Sequence, residues 1–273
     1  MNSVNRKISL WVRVSLGAIP FAMLVGTYAV ASHIRRLENP SDKLLPSLDA
    51  MASTFWRMAT VPDQRSGDLL LWSDTGASLA RLGIGMLIAA SIALSLGILI
   101  GYLPRGRAML APFVAAISLI PPITVLPILF IVFGLGELSK VMLIVVGTAP
   151  IMTRSLAQAV MDIPNEQIVK AETLGANSVQ MILRVILPQI WPKLLTAIRL
   201  GLVPAWIFLI SAEAIASTGG LGYRIFLVRR YLAMDVILPY VVWITLLAYI
   251  LDRLLHLFSL RLFRWAHMNG ESL

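Results

Sequence analysis

The 273-residue chain contains no cysteine. Disulfides, thiol catalysis and cysteine-based metal sites are therefore excluded, and redox compartment leaves no mark on the sequence. Charge is scarce too: Asp, Glu, Lys and Arg make up 14% of the residues, against about 25% in soluble domains. Histidine occurs only as His33, His256 and His267, and no His/Asp/Glu set has metal-ligand spacing. No nucleophile–base pair stands out. No G-x-x-x-x-G-K-[ST] phosphate loop is present, so any nucleotide must bind elsewhere. The sequence offers no catalytic residue, and neither metal nor cofactor is expected.

What the chain has in abundance is apolar length. It is 58% hydrophobic with a mean hydropathy of +0.82. Several runs reach the roughly 20 residues that cross a bilayer. The expected fold class is an all-α membrane protein with about six transmembrane helices. The net charge is +9, which in a soluble protein suggests nucleic acid. Here Lys and Arg sit mostly at the ends of apolar segments, where they anchor to head groups. No aromatic-basic surface accompanies them. The lipid bilayer is the expected partner, and nucleic acid is not.

The first apolar stretch runs from Ile8 to Ser32, behind Arg6 and Lys7. Ala29-Val30-Ala31 resembles a signal-peptidase site, but the run exceeds a usual signal core, which favours a retained helix. Residues 33–77 are polar. Within them, Leu48, Met51, Phe55 and Met58 recur at helical spacing. That pattern fits either an interfacial helix or a small helix packed in a loop. Further spans are expected at Leu79–Tyr102, Met109–Gly134, Leu138–Ala157, Leu194–Ala216 and Val236–Leu257. The chain thus divides into an N-terminal helix and loop (1–76), a transmembrane domain (77–259) and a tail (260–273). The larger share of the 23 Lys and Arg falls on one side if both termini are cytoplasmic, and the tight 103–108 turn agrees.

The segment 158–193 is mixed-polar and does not fit its surroundings. Asp162-Ile163-Pro164-Asn165-Glu166 is a helix-start signal. A short helix is expected from Pro164 to about Leu174. Gly175 suits a left-handed stop, and Asn177 or Ser178 can cap a second helix that ends before Pro188 and Pro192. Such a helix pair either folds back on its own bundle or fits a groove in a cytoplasmic partner.

Glu213 is the one acid placed well inside a predicted span. Intramembrane acids usually face a bundle interior or cavity. Glu213 therefore lines the pathway or its gate, or else pairs with an arginine, for which Arg224 is the nearest outer candidate. Pro121-Pro122 must distort the third span and Pro204 the fifth. These helices either face an internal cavity or carry simple packing kinks.

The 170–188 stretch resembles the cytoplasmic loop motif of ABC-importer permeases: Glu-Ala-Ala, three residues, Gly, nine residues, Ile, one residue, Leu-Pro. Ala171, Gly175, Leu187 and Pro188 match, and Val185 stands at the Ile position. Val169 and Lys170 replace the motif's Glu and first Ala; Glu172 or Glu166 is available as an acidic contact. Ser211 to Tyr223, with Glu213 and then Gly219-Gly220-Leu221-Gly222-Tyr223, resembles the corresponding stretch of the nitrate, sulfonate and taurine branch. Leu45-Pro46-Ser47 is similar to that branch as well.

The resemblance implies a type I importer permease fold with no ATPase of its own. It implies cytoplasmic ATPase subunits, an extracytoplasmic solute-binding protein and a second permease copy, as a homodimer, in a bacterial inner membrane. By this resemblance Pro164, Ala171, Glu172, Gly175, Leu187 and Pro188 form the ATPase-coupling contact. Glu213, Gly220, Gly222, Pro121 and Pro122 are assigned to the pathway or gate. The competing class is a secondary transporter or channel that works without ATP. It would need internal repeats or paired broken helices, and no convincing repeat is visible.

Overall fold

The computed structural model describes residues 9–39, 43–64 and 66–267. The charged start with Arg6 and Lys7, the expected helix start at Ile8 and the last residues of the tail lie outside them. Among the described residues the chain is helical and carries no strand. Its main elements are α1 (Leu10–Glu38), α2 (Leu48–Thr60), α3 (Leu70–Tyr102), α4 (Pro104–Ile117), α5 (Pro122–Phe133) and α6 (Glu137–Met161). They continue as α7 (Asn165–Thr173), α8 (Ser178–Met181), a π turn (Ile182–Ile186), α9 (Leu187–Ala216), α10 (Leu221–Arg229) and α11 (Met234–Leu262).

Five of these helices are long and apolar enough to cross a membrane. The expected third span is not one helix. It divides into α4 and α5, which meet at 96°. Consecutive prolines at 121 and 122 supply no backbone donors, so the ladder cannot pass through them; Pro121 caps α5 with extended dihedrals instead.

The core is built from α3, α6 and α9. Leu82, Ala89 and Ala93 of α3 meet Ile144, Met152 and Leu156 of α6, and Ala197, Ala205 and Leu209 of α9. In lipid the drive for such packing is close contact rather than water exclusion, which favours small residues. A Cβ added at Gly97 would lie 2.8 Å from the Cβ of Leu156, so α3 and α6 approach as they do only because glycine stands there.

α1 stands largely apart. Its most apolar stretch buries nothing, and its tie to the body is polar: Tyr28 donates to Pro46 O at 2.8 Å, and Ser32 to Leu45 O at 2.9 Å. α2 is packed onto the bundle. Ser47 caps it by accepting from Ala50 N. Thr54 and Met58 are buried, Phe55 lies 5.7 Å from the Trp243 ring of α11, and Thr54 donates to Asp235 at 3.1 Å. Trp56 stays exposed.

The helix after Asn177 does not end before Pro188. It runs from Ser178 to Ala216 as 39 helical residues. Pro188 has no N–H for the carbonyl of Arg184, which would end a regular helix. The π turn at Ile182–Ile186 widens the backbone just there, with Leu187 N bonding back to Ile182 O; such turns relieve a broken ladder without ending the helix. The irregular part of the polar segment thus shrinks to the neighbourhood of α7.

Candidate functional site

Two polar regions lie at opposite ends of α9, a 30-residue helix about 45 Å long. The first is the connector 162–177. Pro164 precedes α7, and Gly175 has φ +83°. Gly175 N bonds Glu172 O at 2.9 Å and Ala176 N bonds Ala171 O at 3.0 Å, the paired bonds of a left-handed helix stop. Asn177 and Gln180 then cap each other reciprocally, satisfying two orphan donors of the next helix.

No residue of α7 is buried. Ala171 and Ile168 are half-buried against the core, so Ala171 serves the chain's own packing. Val169 and Leu174 are exposed, the latter 81%, whereas Glu172, though exposed, lines with Ile168 a cavity against Tyr102 and Arg107. Open space surrounds Gly175. Leu187 is half-buried and Pro188 exposed.

The second region is a buried ion network. On α3, Asp74, Ser78 and Arg81 follow an i, i+4, i+7 spacing, which sets them on one face. Each meets the start of α10. Gly220 N donates to Asp74 at 3.0 Å, Leu221 N to Ser78 Oγ at 2.8 Å and Gly222 N to Glu213 at 2.8 Å. Three successive amides that no helix can satisfy internally are thus met by side chains, two of them acidic at the positive helix end.

Glu213 is fully buried. It accepts from Ser78 Oγ at 2.8 Å and from Arg81 Nη1 at 2.6 Å. Its arginine partner is therefore Arg81, not Arg224. Arg224 bonds Asp74 at 2.8 Å, and Tyr240 donates to the same carboxylate at 3.1 Å. Burial opposes the charge on Arg224, but its hydrogen bond to Asp74 and that carboxylate's field outweigh burial and hold its pKa above the ordinary value. Arg81 also donates to Gly219 O at 2.8 Å and grips Glu137 at 2.5 and 2.9 Å. Lys140 donates to Glu137 at 2.7 Å. Three acids face three bases, so the cluster is neutral.

Gly220 sits at φ +123°, and a Cβ there would lie 2.5 Å from a Glu213 oxygen. Gly222 is buried beside them. The structure thus brings Glu213, Gly220 and Gly222 together. It leaves Pro121 and Pro122 out of the network, at the α4–α5 break.

Asp74 and Ser78 escape a reading that starts the second span at Leu79, and Arg81, inside that span, was not singled out; their helical spacing was the available signal. A second pair was also missed. Arg199 of α9 bonds Asp252 of α11 at 2.8 and 3.1 Å and contacts His256 at 3.0 Å. Asp252 is thus a further acid within a span. Among the described residues no group of His and acids is placed to hold a metal.

Residues 93–264 match the family model described as binding-protein-dependent transport system inner membrane component. The chain is 36% identical over 205 residues to the taurine transport system permease protein TauC of Escherichia coli K12, covering 75% of this chain and 73% of that one. It is 26% identical over 250 residues to the putative aliphatic sulfonates transport permease protein SsuC of the same organism, covering 92% of each. Its fold is similar to a chain of the inward-facing MetNI methionine ABC transporter, with a TM-score of 0.62 at 22% identity, covering 75% of this chain and 99% of that one. The multi-pass helical fold and the matched residues, which include both polar regions in large part, agree: this chain belongs to the binding-protein-dependent inner membrane components and is a permease subunit of an ABC importer, whose ATPase is a separate chain in the homologous systems.

Proposed function

We propose that this permease carries a small organosulfonate or a related small anion, and that the connector 162–177, with the start of α9 at Leu187 and Pro188, is where the ATPase drives it. The carrying observation is α7 itself: a nine-residue helix with no buried residue and an exposed apolar edge at Val169 and Leu174. Exposed apolar residues on a short helix with a defined left-handed stop suit a groove in a partner. Gly175 shares that outward surface and Glu172 lies at its edge, beside Tyr102 and Arg107, with Pro164 starting the helix and Leu187 and Pro188 beginning α9. Ala171 braces α7 from behind.

In this reading both termini and the connector are cytoplasmic, and the ion network lies at the outer end. Two copies pair around the pathway, and a solute-binding protein delivers the substrate from outside. The sulfonate class is supported by the TauC and SsuC relatives. Glu213, Gly220 and Gly222 then form the fixed rim of the outer mouth, and the α4–α5 break at Pro121-Pro122, near Ser118 and its partner Arg154, lies deeper along the pathway. Displacement of α7 shifts the bundle between two packings, a population shift of the alternating-access kind.

The test is uptake of labelled taurine into proteoliposomes that hold the permease with its ATPase, with the binding protein outside and ATP inside. Uptake that needs all components is expected. Uptake by the permease alone would favour a secondary transporter and overturn the reading.

A further inference from the structure

We propose that Arg81 and Lys140 form a binding site for the acidic group of a small sulfonate or carboxylate, and that the Glu137 carboxylate fills this site in the conformation described here. The inference takes its ligand class from the importer reading above.

Exposure carries the argument. The side chains of Arg81 and Lys140 are 9% and 3% exposed, whereas Glu137 is 63% exposed. Two buried cations are thus neutralised by a surface acid. The inner face of Arg81 is fixed: Nη1 is held by Glu213 and Gly219 O. Its outer edge, Nε and Nη2, presents a fork that grips both oxygens of Glu137. Among the described residues Lys140 donates only to the same carboxylate, although an ammonium has three protons to place. The geometry is that of a prepared anion site, with a pre-organised guanidinium and a point charge converging on one pair of oxygens.

Charge supports the same conclusion. With Glu137 withdrawn, Arg81, Lys140 and Arg224 face only Asp74 and Glu213, which leaves one positive charge in excess. A buried excess of this kind demands an anion. Glu137 is also the most easily withdrawn member. It is the first residue of α6, directly after Gly134-Leu135-Gly136, a turn with open space around both glycines. A sulfonate or carboxylate offers the fork and the ammonium the same acceptor oxygens that Glu137 does. Exchange of one anion for another leaves the net affinity modest, which suits a solute that must also leave.

The rival explanation is that Glu137 merely stitches α3 to α6. Calorimetric titration of ethanesulfonate into the permease–ATPase assembly in nanodiscs separates the two, with ethyl methyl sulfone as the uncharged control. Glu137→Gln is expected to bind ethanesulfonate at least roughly tenfold more tightly than the native chain. In the Glu137→Gln background, Lys140→Met should abolish that gain and Lys140→Arg should retain it. The sulfone should not bind. Co-purification of the ATPase checks that each variant is assembled. Equal ethanesulfonate affinity in the native and Glu137→Gln assemblies, or equal binding of the sulfone, overturns the site. Should native assemblies fail to import any sulfonate, the sulfonate-substrate reading fails instead, and that outcome is read from the uptake assay alone.

Discussion

The two ends of α9 are built on opposite rules. At the α10 end most charges are buried, Glu137 excepted, and Glu213 alone receives Ser78, Arg81 and Gly222 N. At the α7 end, nothing in the short helix is buried, and order comes from local caps at Gly175 and Asn177. A satisfied buried network is rigid but intolerant of loss. A locally capped, exposed helix opens easily and tolerates change. The contrast teaches where this subunit is fixed and where it is free to be pushed.

The most forceful way to break the contrast is Glu213→Met. The substitution keeps similar bulk but strands the Gly222 amide, the Ser78 hydroxyl and one edge of Arg81. Removing one partner of a buried pair typically costs about 3–5 kcal/mol, a large part of the stability of an ordinary domain. The expected outcome is a sharp fall in the unfolding temperature of the detergent-solubilised subunit. Little change would mean that water reaches the cluster and that the α10 end is not the fixed one.

A substitution at Gly175 sharpens the other side. Its φ of +83° costs an ordinary L-residue about 1–2 kcal/mol, while the surrounding space is open. Gly175→Asn should therefore be carried with near-native transport, since Asn tolerates this backbone. Gly175→Trp should leave the subunit folded but abolish ATP-driven uptake, because its bulk stands where the proposed partner docks. Normal uptake by Gly175→Trp removes the coupling role from this turn.

These regions also differed in how well the sequence disclosed them. The α7 end is made of near neighbours, so its start at Asp162-Ile163-Pro164, its stop at Gly175 and its cap at Asn177 were all readable along the chain. One local rule misled: Pro188 was expected to end a helix, and a π turn carried the helix past it. Pro121-Pro122, under the same rule, did break the third span, because two adjacent donors are missing there. The α10 end pairs residues far apart in sequence, such as Asp74 with Arg224 and Arg81 with Glu213. Polarity made residues 70–77 look like loop when they are the first turns of α3. Glu213 was visible as an anomaly, but its partner was not; nearness in sequence suggested Arg224, and packing supplied Arg81. The same holds for Arg199 and Asp252, which only the docking of α11 on α9 brings together.

The finest test of the contrast is Asn177→Ala. The Asn177 side chain accepts from Gln180 N at 2.8 Å, and Gln180 accepts from Asn177 N at 3.0 Å. Loss of such a cap costs about 1 kcal/mol. Where that energy appears is what decides. If the α7 end is held by local caps alone, amide exchange should quicken several-fold over residues 178–186, with the amides of α10 and the global unfolding temperature unaltered. If protection instead fell along the whole of α9 as far as Glu213, the two ends would form one cooperative unit, and a push at α7 would be felt directly at the ion network. The π turn between Asn177 and the body of α9 argues for the first result, because a widened turn is where a long helix yields first.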